Sequence, residues 1–181
     1  MSTRQVRTSV DGPFATPWGK GLLTVARGRL VGVELPPLAR PPAKDGREQS
    51  ALEAADRAAL KRWESELEAY FRGERLSWSA EEVGLDEWPV NGFGRAVYGT
   101  LLGVPPGLTV SYGALAEMAG FPRAARAVGT AMATNRIPIV IPCHRVIRSD
   151  GSLGRYGDDP TWKERLLAHE RRYAGQGGGR R

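Results

Sequence analysis

The chain has 181 residues, of which 41% are hydrophobic, and a formal net charge of +6. This length and apolar content suffice for one large domain or two small ones. One cysteine and two histidines exclude a disulfide framework and a typical structural zinc site, so we expect no metal and no cofactor. The sequence has no apolar run long enough to span a membrane, and residues 1–7 lack the apolar stretch of a secretory signal. We therefore expect a cytoplasmic protein without a membrane partner.

The charge is unevenly distributed along the chain. Residues 1–87 carry 13 basic and 14 acidic side chains, whereas residues 88–181 carry 13 and 6. A basic half favours a polyanionic partner, because lysine and arginine gain affinity by releasing counterions from phosphates, although a generally solvated basic face has the same composition. The change in composition predicts two domains, 1–85 and 86–174, followed by a flexible glycine-rich tail over 175–181.

The N-terminal half predicts strands and one helix. Residues 13–35 are predicted to be a β-region, with a turn at Pro17-Trp18-Gly19 followed by apolar runs at 21–26 and 30–35 that indicate a β-hairpin. Four prolines and a glycine indicate a surface loop over 36–47. Between residues 49 and 71 large apolar side chains recur at helical spacing, and Gly73 supplies the stop. These side chains are Leu52, Leu60, Trp63, Leu67, Tyr70 and Phe71.

The C-terminal half predicts three more helices before its cysteine. The first covers residues 94–102. Ser111 is suited to cap a second over 112–119, which Gly120 ends. The third follows over 123–134, so the second and third together predict a helix-turn-helix unit. The side chains expected to face inward are Val97, Leu101 and Leu102 in the first helix and Leu115 and Met118 in the second.

The third of these helices has unusually few large side chains. Val128 and Met132 are spaced to face the core, whereas Arg126 lies roughly 200° away and should point outward. A helix so bare fits a minor groove about 6 Å wide, where Arg126 would probe between the bases. The alternative is that the small residues pack against another helix and Arg126 is a solvated surface residue. The small residues are Ala124, Ala125, Ala127, Gly129 and Ala131.

The single cysteine follows an apolar run over 137–142, which predicts a buried strand. A single cysteine at such a position is either a small apolar residue of the core or a reactive nucleophile. In an ideal strand His144 would face away from Cys143, so contact needs a turn at Cys143 or an intervening water. Either arrangement lets His144 accept the thiol proton.

A last helix over 160–171 places Trp162, Leu166 and Glu170 on one stripe. Glu170 should therefore be buried, where a carboxylate needs a partner, and an imidazole that becomes charged would supply one. The alternative is that Glu170 lies at a frayed, wet helix end.

Four segments together resemble the methylated-DNA–protein-cysteine methyltransferases, also called O6-alkylguanine-DNA alkyltransferases. The segments are TVSYGALA at 109–116, RAARAVG at 123–129, IVIPCHRVI at 139–147 and WKERLLAHE at 162–170. The match covers most of residues 90–170 in the family's order. Its most specific mark is PCHRV after an RAVG helix. The N-terminal half fits more loosely, through Tyr70-Phe71-Arg72-Gly73.

The resemblance implies an α+β fold, with a small N-terminal ribonuclease H-like α/β domain and a mainly helical C-terminal domain that contains the helix-turn-helix. It implies that the protein binds double-stranded DNA containing alkylated guanine and flips the damaged nucleotide out of the helix. The alkyl group then passes from O6-alkylguanine to Cys143, once and irreversibly, with O4-alkylthymine as a further candidate substrate. We expect a monomer, and leave open whether it loads cooperatively on DNA.

The resemblance also implies roles for particular residues. His144 and Glu170 activate Cys143 through a water, and Asn135 braces the turn between the recognition helix and the active site. Tyr112 rotates the phosphate and donates a hydrogen bond to the departing guanine. The residues implied to face DNA are Tyr112, Arg123, Ala125, Arg126, Ala127 and Gly129, with Arg126 as the finger that fills the gap left by the flipped nucleotide. The residues implied to line the substrate pocket are Met132, Val146, Tyr156 and Gly157.

Three positions depart from the family pattern. Arg136 stands where the family commonly has proline, residues 157–160 replace a glycine-rich active-site loop, and Arg155 precedes Tyr156. Because the loop affects which alkyl groups fit, the breadth of substrates stays open.

Three other classes of protein share some of these features. A non-catalytic alkylated-DNA-binding protein flags lesions for other repair factors, but members of that group typically lack the acceptor cysteine. A Cys–His–Glu hydrolase needs an oxyanion hole, which the sequence does not show. A helix-turn-helix regulator normally reads the major groove as a dimer and has no use for the cysteine motif.

Overall fold

The computed structural model describes residues 9–36, 54–157, 159 and 161–174. The chain divides into two compact units, Met1–Phe71 and Arg72–Arg181. The division falls earlier than the predicted boundary after residue 85. Residues 72–85 belong with the second unit, where Trp78 and Leu85 are buried and Leu76 accepts a hydrogen bond from Arg145. The change in charge could not show this, because charge at the surface does not report which core a segment joins.

The described part of the first unit contains a three-stranded antiparallel sheet of order β1-β2-β3. The strands are β1 (Ser9–Thr16), β2 (Gly19–Ala26) and β3 (Arg29–Glu34). The predicted hairpin corresponds to β2 and β3, and its two-residue turn has a positive φ at both Arg27 and Gly28, as the twist of such hairpins requires. Strand β1 begins four residues before the predicted β-region, because its first residues, with a glycine and a proline among them, show no clear alternation.

Helix α1 (Ala54–Arg72) follows the sheet and buries one apolar stripe. The Phe14 and Phe71 rings stack with centroids 6.3 Å apart, and Gly12 approaches Leu60 so closely that an added Cβ would lie 2.9 Å from its side chain. The predicted stop is confirmed, since Gly73 follows the helix with a φ of 77°. Residues 49–53 of the predicted helix and 37–47 of the predicted loop lie outside the described residues.

The second unit is mainly helical within its described part. Its helices are α2 (Ala80–Val83), α3 (Gly92–Leu102), α4 (Tyr112–Met118), α5 (Ala125–Ala133) and α6 (Thr161–Ala174). Two short parallel strands, β4 (Val110–Ser111) and β5 (Val146–Ile147), pair beside α4. The whole is a mixed helix-and-sheet fold. None of the helices in the described ranges is long and apolar enough to cross a membrane.

Helices α3, α4 and α5 pack around a small apolar core. Val97, Leu101, Leu115 and Val128 are fully buried there, and the Tyr98 hydroxyl donates to the carbonyl of Ala131 at 2.7 Å. Helix α4 begins as predicted, with the Ser111 side chain accepting from Ala114 N at 3.1 Å.

Three side chains expected to face inward do not do so fully. Met118 is the last residue of α4 and is 60% exposed, whereas Ala116 is buried beside Leu115. Leu102 and Met132 lie near the ends of their helices and are half-buried.

The core of the first unit supplies a test of this packing. Leu67 is 0% exposed at the centre of α1, so Leu67→Ala should lower the free energy of unfolding by about 2–5 kcal/mol. Glu64→Ala, on the exposed side of the same helix, should change it by less than about 0.5 kcal/mol. Urea denaturation measures both, and equal effects of the two variants would contradict the described burial.

Candidate active site

The segment before the cysteine is a tight turn, so the predicted strand over 137–142 is wrong. Ile137, Ile139 and Ile141 are buried as expected, but Ile141 N donates back to Ile137 O at 3.0 Å and Ile139 has a φ of 75°. Prolines at positions 138 and 142 lack the N–H that a strand ladder needs. Apolar content alone therefore indicated burial and not the conformation of the backbone.

The chain turns again at the cysteine itself. Residues Cys143–Arg145 form one turn of 3-10 helix, and Cys143 N donates to Ile141 O at 2.8 Å. The chain therefore turns at Cys143, yet no hydrogen bond between His144 and the sulfur is found among the described residues. This turn places Cys143, His144 and Arg145 inside the protein in succession, since all three are buried.

Asn135 holds this turn and contacts the sulfur. Its Nδ2 donates to Ile141 O at 2.9 Å and to Cys143 Sγ at 3.1 Å. Its Oδ1 accepts from Ile137 N at 3.1 Å. One amide side chain therefore closes the turn at both ends and presents a donor to the thiol.

His144 and Glu170 form a buried pair. The distance from His144 Nε2 to Glu170 Oε1 is 2.8 Å, and both side chains are 0% exposed. Glu170 shares its buried stripe with Trp162 and Leu166, so the frayed-end alternative is wrong. The carboxylate only accepts, which assigns the imidazole proton to Nε2. Nδ1 has no hydrogen-bond partner among the described residues.

Arg145 completes the cluster, and the sequence reading did not identify it. Arg145 Nη2 lies 2.8 Å from Glu170 Oε1 and Nε lies 3.0 Å from Oε2. The second carboxylate oxygen also accepts from Gly107 N at 2.9 Å. Burial by itself would raise the pKa of Glu170, but the hydrogen bonds from His144 and Arg145 outweigh it and hold that pKa well below its usual range. The carboxylate is therefore ionised at neutral pH.

The thiol lies in a place that favours its neutral form. Burial raises the pKa of Cys143, and the hydrogen bonds from Asn135 and Tyr156 and the nearby Lys163 ammonium oppose this only in part. Cys143 therefore rests as a thiol and needs a base to become a nucleophile.

Lys163 is a second residue that the sequence reading missed. It is 1% exposed, its Nζ donates to Val146 O at 2.6 Å and lies 5.9 Å from the centre of the Tyr112 ring. Burial lowers the pKa of Lys163 to about 8, although the neighbouring Cys143 raises it. The only feature of the sequence that could have pointed to Lys163 is its position one residue after Trp162 in the segment that resembles the family.

Helix α5 presents an open surface with an arginine on it. Arg126 is exposed, as predicted, and a Cβ added at Gly129 would meet nothing within 4 Å. Ala127 is exposed and Ala125 is half-buried. Arg123 is exposed but precedes the helix with a φ of 69°, so the helix begins two residues later than predicted.

The residues implied for the substrate pocket are only partly assembled around the sulfur. The Tyr156 ring lies 6.5 Å from that of His144, and Tyr156 is among the groups that lower the pKa of Cys143 against the effect of burial. Val146 is buried in β5. Met132 is half-buried and Gly157 is exposed; no described contact brings either of them to the sulfur.

Tyr112 and the departures from the family pattern also have definite places. Tyr112 opens α4, and burial together with the nearby Cys143 raises its pKa, so it keeps its proton. Arg136 and Arg155 are exposed. Asp159 accepts from Thr161 N at 2.9 Å at the start of α6, whereas Asp158 and Pro160 lie outside the described residues.

Two further features bear on ligands. In the described ranges, no group of three or more His, Cys, Asp or Glu side chains is placed to hold a metal ion. A groove of about 380 Å³ runs between α3 and α5, with Phe93, Tyr98 and Thr130 among its walls; Cys143 is not one of them. The thiol keeps 7% of its surface exposed.

These features define a mixed helix-and-sheet protein in which a buried thiol is followed in the chain by a buried His144–Glu170 pair, and in which helix α5 carries an exposed arginine among small side chains. The family model described as "6-O-methylguanine DNA methyltransferase, DNA binding domain" matches residues 92–172. The methylated-DNA–protein-cysteine methyltransferase of Mus musculus is 51% identical over 109 residues, which are 58% of this chain and 51% of that protein. The chain spans about half the length of the curated relatives it matches.

Solved structures extend the similarity along the chain. Mycobacterium tuberculosis OGT in complex with DNA is 29% identical with a TM-score of 0.70, over 90% of this chain and 93% of that one. The O6-methylguanine methyltransferase of the same organism is 30% identical with a TM-score of 0.69, over 91% and 94%. The chain belongs to the methylated-DNA–protein-cysteine methyltransferase family.

The raised pKa of Cys143 predicts how the thiol reacts. The rate of its labelling by iodoacetamide should keep rising above about pH 9, whereas an ordinary thiol levels off above its pKa of about 8.5. Labelling followed by intact mass measures this rate, and the only cysteine makes it specific for Cys143. The same chain unfolded in urea is the matched control. If the labelling rate of the folded protein levelled off at a lower pH than that of the unfolded protein, the assignment would be contradicted.

Proposed function

We propose that this protein repairs DNA by taking the alkyl group of O6-alkylguanine onto Cys143 Sγ. One observation carries the proposal: the family's cysteine is present, and His144 and Glu170 form a buried pair 2.8 Å apart beside it. Relatives are named methylated-DNA–protein-cysteine methyltransferases. O4-alkylthymine is a further substrate to be tested.

The reaction follows from the resting states of the residues. The thiol proton passes to His144 Nδ1, through a water, and Glu170 stabilises the imidazolium that forms. The sulfur attacks the alkyl carbon, the carbon–oxygen bond to O6 breaks, and its electron pair leaves with guanine. Tyr112, still protonated, donates a hydrogen bond to the departing base. The product is a thioether, so each molecule acts once.

The DNA side of the proposal uses helices α4 and α5 as a helix-turn-helix. A related protein of known structure is titled as being in complex with DNA. Arg123, Ala125, Ala127 and Gly129 would lie along the minor groove, because small side chains let the helix approach closely. Arg126 would fill the gap left by the flipped nucleotide, which must leave the stack for O6 to reach the sulfur.

The remaining parts of the proposal concern the flipped base and the rest of the chain. Met132, Val146, Tyr156 and Gly157 would line its pocket. Asn135 would keep the turn before Cys143 in place while the base enters.

We further propose that the first unit is a ribonuclease H-like domain, because an antiparallel β1-β2-β3 sheet precedes a helix. The protein would act as a cytoplasmic monomer.

Intact-mass spectrometry tests the chemistry directly. Incubation with duplex DNA containing O6-methylguanine should add one methyl group per protein molecule, located on Cys143, with no further turnover. Cys143→Ala should gain nothing. A wild-type protein that binds the lesion duplex tightly but gains no mass would instead be a non-catalytic lesion-binding protein.

Arg126→Ala tests the proposed finger. The variant should lose about tenfold or more in the rate of duplex repair, because unstacking costs a few kcal/mol that Arg126 helps to offset. Its reaction with free O6-benzylguanine should stay within about twofold of wild type, since no duplex has to open. Arg136→Ala, another exposed arginine near the same helix, is the matched control. Equal losses by Arg126→Ala on both substrates would refute the finger role.

A further inference from the structure

We infer that Arg145 is a positioning residue that keeps His144 uncharged between reactions, by compensating the charge of Glu170 with a fixed guanidinium. The inference rests on the proposed function, because it concerns the base that accepts the Cys143 proton. It assigns the resting imidazole a proton on Nε2 and a lone pair on Nδ1.

The guanidinium is fixed by more than its carboxylate partner. Arg145 is 1% exposed. Nη1 donates to Val104 O at 2.6 Å, and Nη2 donates to Leu76 O at 2.7 Å. These carbonyls come from two separate segments of the second unit. A planar guanidinium held at both ends cannot swing away from Glu170, so the positive charge stays beside that carboxylate.

Glu170 consequently has less capacity to hold a second positive charge. Its Oε1 accepts from both His144 Nε2 and Arg145 Nη2, each at 2.8 Å. A buried carboxylate facing histidine alone would draw a proton onto the imidazole to form an ion pair. With Arg145 already paired to the same carboxylate, a charged His144 would add a net positive charge to a buried cluster.

The other groups around the imidazole act in the same direction. The charged groups that influence it are Glu170, Arg145 and Lys163, and its further neighbours are the uncharged Cys143 thiol and the Tyr156 ring. Burial lowers the pKa of His144, and the charges of Arg145 and Lys163 add to this against the pull of Glu170. The imidazole is therefore neutral at pH 7, with Nδ1 able to accept a proton.

The state of His144 can be read in the wild-type protein. Nitrogen-15 NMR of the histidine side chains should show His144 as the neutral Nε2–H form at pH 7. It should remain neutral below the usual histidine pKa of about 6.5. His169→Gln removes the signals of the only other histidine. A charged imidazole at pH 7, or a proton on Nδ1, would overturn the inference even if no variant folds.

Arg145→Gln tests the cause. The rate of Cys143 benzylation by free O6-benzylguanine should fall on the acid side of its pH profile as His144 becomes protonated. Without the guanidinium, the pKa of His144 rises, so this fall should move up by about one pH unit or more. Arg171→Gln makes the same change at an exposed arginine of α6 and should leave the profile unchanged.

The outcomes separate the inference from the proposed function. A folded Arg145→Gln protein whose acid limb coincides with that of wild type would refute the role of Arg145. If wild type gained no methyl group from duplex DNA containing O6-methylguanine, the proposed function would fail. The NMR measurement would still decide the resting state of His144.

Discussion

The carboxylate of Glu170 accepts hydrogen bonds from His144, from Arg145 and from the backbone N–H of Gly107. A charge buried without such partners costs several kcal/mol, so α6 can bury Glu170 only if the turn at Gly107 and the 3-10 turn after Cys143 lie where they do. The same contacts set the orientation of the imidazole. The hydrogen bonds of Glu170 therefore set both the packing of α6 and the position of the His144 imidazole.

The thiol depends on this cluster because it has no charge of its own at rest. Burial keeps Cys143 protonated, and Asn135 fixes both the turn and the donor that meets the sulfur. A protected thiol resists oxidation and stray alkylation. In the proposed reaction, activation requires a base that is already neutral, and His144 would meet that need with its Nδ1 atom.

The exposed side of helix α5, in the same unit, contributes little to the packing of the core. Helix α5 buries Val128 on its inner side and has only small or short side chains on its outer side apart from Arg126. An open helix surface of this kind adds little to stability, since the core is formed by α3 and α4 on the other side. The proposed function would explain its composition by the DNA that it approaches rather than by what it packs against.

The sequence by itself determined the family and most of the helices. Periodic apolar residues predicted α1 and the inward face of α6, Ser111 predicted the start of α4, and the order of four segments identified the cysteine and its neighbours. These are local signals, readable from spacing and capping chemistry. They also predicted that Glu170 is buried, because it lies on the same face of the helix as the apolar side chains of Trp162 and Leu166.

Only the tertiary structure decided the turn before Cys143, the place of residues 72–85 and the partners of Arg145 and Lys163. An apolar run such as 137–142 indicates burial in any conformation, and the turn is shown only by the hydrogen bond from Ile141 N to Ile137 O in the structure. Arg145 and Lys163 read as surface charges, because long basic side chains usually are. Their burial depends on acceptors such as Leu76 O and Val146 O, which are far away in the chain and are brought near only by folding.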